Sequence, residues 1–112
     1  MTQNNNNSNK LFDLLTICRK AGKLEMGFDP MKEALAGGKA QTVITASDIS
    51  QKTEKEVRFF ADKKNVTVKK AAFTIDEVYM RLGKRAGILT ICDGGFAEKA
   101  VTLCGETETD KQ

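Results

Sequence analysis

A chain of 112 residues, 40% of them apolar and only one a proline, is long enough for one hydrophobic core and too short for two. The net charge of +3 does not by itself argue for a polyanionic partner, and the absence of histidine removes both the usual neutral-pH base and the usual zinc ligand. No apolar run approaches the roughly 20 residues that span a bilayer, and the polar segment Met1 to Lys10 is not a secretory signal, so a cytoplasmic location without a membrane partner is expected.

Residues 1–8 are rich in asparagine and offer nothing to bury, which predicts a disordered tail with order starting near Ser8 or Asn9. Leu11, Leu14, Leu15 and Cys18 follow three-and-four spacing, predicting a helix with Arg19 and Lys20 in its last turn and Gly22 as its stop. Lys23 to Met26 reads as a short extended piece. Next comes a second helix, with Asp29 the candidate N-cap, Pro30 at the first helical position and Gly37-Gly38 the left-handed stop. The β-branched run Gln41 to Ala46 reads as a strand.

Ser50 is a natural cap for a helix over Gln51 to Lys64, with Val57, Phe60 and Ala61 inward and the interleaved charges read as a solvated face. Val66 to Lys70 alternates as a strand does. Thr74 and Glu77 have the spacing of a capping box, opening a helix that stops near Gly83. Ile88 to Cys92, the most apolar run, reads as a central strand, and Asp93-Gly94-Gly95 turns the chain into a last helix with Phe96, Ala100, Val101 and Leu103 inward. This alternation predicts an α/β fold, a three-layer α/β/α sandwich with a mixed sheet of about four strands. One domain over 9–104 is followed by an acidic, flexible tail over 105–112, where Glu106 to Gln112 carries three acids and one lysine.

Catalytic chemistry is poorly supplied. No phosphate loop or three-glycine dinucleotide fingerprint is present, so no cofactor is expected; Cys18, Cys92 and Cys104 lack a Cys-x-x-Cys pair and read as reduced core thiols, so no metal site is expected either. Asp93-Gly94-Gly95 reads as a tight strand-to-helix turn. Binding is better supported. From Lys52 to Arg85 there are ten Lys or Arg against five Asp or Glu, and the start of the second helix, at Gly27 and Asp29 with Lys32 nearby, places free amides where phosphates commonly bind.

The order of Arg19-Lys20-Ala21-Gly22-Lys23-Leu24, Gly27, Ala34-Leu35, Gly38-Lys39-Ala40, the strand into Ala46-Ser47-Asp48, Leu82-Gly83-Lys84 and Asp93-Gly94-Gly95-Phe96-Ala97 resembles the ribosomal protein L7Ae superfamily, particularly its small bacterial members, over about Asn9 to Leu103. The resemblance implies an α/β/α sandwich that binds RNA, in many members a kink-turn, without catalysing a reaction. It further implies that RNA is met by the amino end of the second helix and by the loop before the last strand. Of the Gly-x-Asn-Glu-x-x-Lys motif that members carry at that helix, Gly27 is kept, while Asp29, Pro30 and Glu33 stand at the Asn, Glu and Lys positions, with Lys32 adjacent. The implied RNA-binding residues are Gly27, Phe28, Asp29 and Lys32 on the helix, Lys84 and Arg85 in the loop, and the bases Lys20, Lys23 and Lys39. A monomer bound to ribosomal or other structured RNA, and association with the ribosome itself, follow as expectations. The changed motif positions also fit a second use of the fold, as a protein-protein interaction module.

Overall fold

The computed structural model describes residues 2–107, and at 2–8 and 105–107 only the backbone. Its elements alternate: α1 (Thr2–Lys20), β1 (Leu24–Met26), α2 (Phe28–Ala36), β2 (Thr42–Thr45), α3 (Gln51–Lys63), β3 (Thr67–Lys70), α4 (Ile75–Leu82), β4 (Ile88–Ile91) and α5 (Gly94–Thr107). The strands form one sheet in the order β1-β4-β2-β3, with β4 antiparallel to both neighbours and β2 parallel to β3. Every residue of β2 and β4 is buried, as their continuous apolar runs require of central strands covered on both faces.

Two cores lie on the two faces. On one, Leu15 of α1, Val78 of α4, Ala100 of α5 and Phe73 from the segment before α4 pack against Ile44, Leu89 and Ile91. On the other, α2 and α3 pack Met31, Leu35, Val57 and Ala61 against Val43 and Ile88. The expected α/β/α sandwich with a mixed, four-stranded sheet is therefore the observed one. Each fully buried large side chain, such as Leu15 or Met31, contributes roughly 1.5–3 kcal/mol relative to leaving it exposed.

Local signals explain most of the helix ends. Ser50 Oγ accepts from the Thr53 amide at 3.1 Å, and the Thr74–Glu77 capping box closes in both directions. Helix α2 ends with Gly38 left-handed (φ 73°), its amide on the Leu35 carbonyl and that of Lys39 on Ala34, so the second glycine of the pair makes the turn.

Three expectations need correction. The cap of α2 is Gly27 rather than Asp29: the helix starts two residues earlier than a cap at Asp29 allows, Asp29 makes no capping bond, and Pro30 falls third, still among the positions whose amide needs no helical partner. The inward stripe of α5 is Ala97, Ala100 and Cys104, with Phe96, Val101 and Leu103 only half-buried, because the small residues let α5 approach the sheet. Asp93 serves α5 as its cap, its carboxylate accepting from the Phe96 amide at 3.0 Å. Finally, α1 begins at Thr2 rather than near Ser8, since a helix nucleated by the packed Leu11–Cys18 turns gains one backbone bond per added residue. Met1 and 108–112, the last part of the expected acidic tail, lie outside the described residues.

Candidate nucleic-acid interface

The interface is built at one end of the sheet. Because β1 and β4 are antiparallel, the end of β1 lies beside the start of β4, and the Gly27 amide donates to the Ile88 carbonyl at 2.9 Å. The amino end of α2 is thereby fixed next to the loop 83–87. The Ala46 amide donates to the Gly87 carbonyl at 2.9 Å, bringing the loop after β2 to the same place. Gly87 has no room for a side chain: a Cβ there would lie 2.5 Å from Ile49 Cγ2. Asp48 completes the frame, its carboxylate accepting from the Ile75 amide at 3.0 Å and tying this end to the start of α4.

Gly27 has φ 115° and ψ 170°, a conformation essentially limited to glycine, and as N-cap it brings no side chain to the first-turn amides. With Pro30 bringing no amide hydrogen, the Phe28 and Asp29 amides, at the positive end of the α2 dipole, are left without a side-chain cap. Asp29 is exposed and leaves them uncovered, where a capping carboxylate would have occupied them. Lys32 stands one turn along, its ammonium 5.6 Å from the Phe28 ring centroid and 5.1 Å from that of Phe60. On the other flank, Arg85 pairs with Asp76 at 2.5 Å and lies 5.4 Å over the Tyr79 ring, both ion-pair partners remaining exposed. Lys84 beside it is also exposed.

Six of the candidates, Gly27, Phe28, Asp29, Lys32, Lys84 and Arg85, thus share one end of the molecule. Lys20, Lys23 and Lys39 do not. Lys20 closes α1, Lys23 enters β1 and Lys39 precedes β2, which puts all three at the opposite sheet end, about 13 Å away along four residues of strand. There the Cys92 amide donates to the Lys23 carbonyl at 2.8 Å. Burial pushes the Cys92 thiol up, with Glu25 adding to the effect and Lys39 and Lys23 opposing it. Arg19 and Arg81 are taken up in packing: Arg19 donates to the Leu82 carbonyl, and Arg81 bonds Asn9 and sits 4.8 Å over Phe12.

Tyr79, Asp76 and Asp48, which position the loop and its arginine, are absent from the sequence-derived candidates. Their contacts join distant parts of the chain, or a helix to the loop after it, and no local pattern announces them. Among the described residues no group of His, Cys, Asp or Glu could hold a metal ion, and no helix is long and apolar enough to cross a membrane.

Residues 9–101 match the ribosomal protein L7Ae/L30e/S12e/Gadd45 family. The chain belongs to this family. It is 30% identical over 100 residues to the RNA-binding protein YlxQ of Enterococcus faecium, a match covering 89% of this chain and 96% of that protein. In fold it is similar to a Bacillus halodurans protein of unknown function, with TM-score 0.78 and 24% identity over 85% of this chain and 96% of the other. It is likewise similar to the Giardia lamblia 15.5kD RNA binding protein, with TM-score 0.68 and 16% identity over 92% and 88% of the two chains. With membership of the L7Ae family the chain is a non-enzymatic protein.

Proposed function

We propose that this L7Ae-family protein binds structured RNA in association with the ribosome, through the amino end of α2 and the Lys84-Arg85 loop. The observation that carries the reading is the Gly27–Ile88 hydrogen bond, which holds a helix start without a side-chain cap beside a basic loop. Amides without a side-chain cap and a helix dipole suit one phosphate, and Lys84 and Arg85 suit its neighbours. The similarity to an RNA-binding protein over 96% of that protein's length supports the same reading.

The kink-turn is the first RNA to test. Asp29 can accept from a guanine amino group but has no donor of its own, and Glu33 is an acceptor where a lysine would donate. Recognition accordingly rests on backbone geometry and phosphate contacts more than on base edges. Titration of a kink-turn, a structured RNA without the kink and a plain duplex at two salt concentrations separates the cases. Tighter binding to either structured RNA than to the duplex supports the proposal, and absence of binding to all three at micromolar protein refutes it. Preference for the kink-turn would assign base reading to this altered motif.

Pro30 and Glu33 favour one other reading, a protein-interaction module on the same surface. A partner retained after nuclease treatment and lost on changing Glu33 would favour it over RNA.

A further inference from the structure

Helix α3 buries Val57 and Ala61, yet Phe59, two positions from each, is 56% exposed. A single exposed apolar residue needs no explanation. This one is continuous with two other rings. Phe59 meets Phe60 edge-on at 5.3 Å between centroids, and Phe60 meets Phe28, the first residue of α2, at 6.0 Å. Two lysines are held over the same rings: Lys63 lies 4.3 Å from the Phe59 centroid and 5.8 Å from that of Phe60, and Lys32 covers Phe28 and Phe60.

We propose that this seam of α2 and α3 is a stacking platform for an unpaired RNA strand leaving the amino end of α2, with Phe59 receiving a base and Lys32 and Lys63 its phosphates. The proposal rests on the RNA reading given above. Two features choose the occupant. The row begins at Phe28, which adjoins the first-turn amides of α2, so a strand bound there runs onto it without a gap. The second feature is the cations held on the rings: at helical spacing the α3 face through Phe59 interleaves Lys55 and Lys63 with the acids Glu56 and Asp62, but it is Lys63, with Lys32 from α2, that lies over the aromatic faces. An apolar protein partner would have to desolvate those lysines, whereas single-stranded nucleic acid uses a π-face and cations together.

The test compares a structured RNA with the same RNA bearing a five-nucleotide single-stranded extension, placed at either end, by fluorescence anisotropy on the full chain. One extension is expected to tighten binding at least about fivefold, the lower end of base–aromatic stacking. Phe59→Ala should abolish that gain and leave the unextended RNA unaffected, while Phe59→Tyr should preserve the gain. Lys63→Gln should lower the salt slope of the extended RNA by about one and leave that of the unextended RNA unchanged. Equal affinity of the wild type for extended and unextended RNA overturns the platform and leaves the α2 site standing. So does a gain that survives Phe59→Ala, or an equal weakening of both RNAs by that variant. Failure to bind either RNA overturns the α2 site and the platform with it.

Discussion

Replacing Gly27 by alanine tests the frame of the interface. The residue has φ 115° and ψ 170°, where a side chain costs about 1–3 kcal/mol. Steric overlap adds little, because an ideal Cβ would meet Pro30 Cδ at 3.5 Å, an ordinary contact. Relief by backbone rotation would strain the 2.9 Å bond to Ile88 and the 3.2 Å bond from the Met31 amide, each worth about 1 kcal/mol net, so the chain gains nothing by moving. A domain of this size loses about 4–8 °C of Tm per kcal/mol, which predicts a fall of roughly 5–20 °C for Gly27→Ala in thermal unfolding followed by circular dichroism. Gly94→Ala is the control: it sits at the start of a helix with open space at its Cβ, and should be neutral or stabilising by less than about 1 kcal/mol. If Gly27→Ala melts within about 1 °C of the wild type, or no lower than Gly94→Ala, the backbone account of this helix start is wrong.

Thr74→Ala removes the hydroxyl that accepts from the Glu77 amide at 3.2 Å, and should lower stability by about 1 kcal/mol with an unchanged denaturant slope. Arg85→Ala breaks an ion pair whose two side chains are exposed, so stability in urea should fall by less than about 1 kcal/mol, while the salt slope of RNA binding should fall by about one. Burial, with smaller contributions from Cys92 and Asp93, pushes the Cys18 thiol from 9.0 to about 11. The folded state thus holds this proton more tightly than the unfolded state, so the contribution is complete below about pH 9 and is lost as pH rises toward 11. Denaturant midpoints across that range should fall more steeply for the wild type than for Cys18→Ala, by up to about 2–3 kcal/mol in total. Parallel slopes would contradict it.

Elements governed by neighbours in sequence were legible. The Ser50 cap, the Thr74–Glu77 box, the stops at Gly22 and Gly83 and the central place of Ile88–Ile91 each follow from a local pattern and appear in the structure. What depends on strand direction was not. The basic candidates formed one set by charge, but Lys23 and Gly27 flank β1 at its two ends, and the antiparallel pairing of β1 with β4 sets only the Gly27 end beside the Lys84-Arg85 loop. The α2 cap was misplaced by two residues because Asp29-Pro30 carries the stronger side-chain signal, whereas Gly27 caps by backbone conformation. Phe59 and Lys63 could have been paired from their i, i+4 spacing; the mixed charges around them pointed to an ordinary solvated face.

The division between the two ends of the sheet supplies the most direct measurement. Lys84→Gln with Arg85→Gln, and separately Lys23→Gln with Lys39→Gln, remove the same charge from the two ends, so their long-range electrostatic effects are matched. Titration of a structured RNA over a salt series should show weaker binding and a salt slope lower by about two for the Lys84/Arg85 pair, with the Lys23/Lys39 pair indistinguishable from the wild type. Equal losses from both pairs, or a larger loss from the second, would contradict the assignment of RNA binding to the amino end of α2 and its adjoining loop.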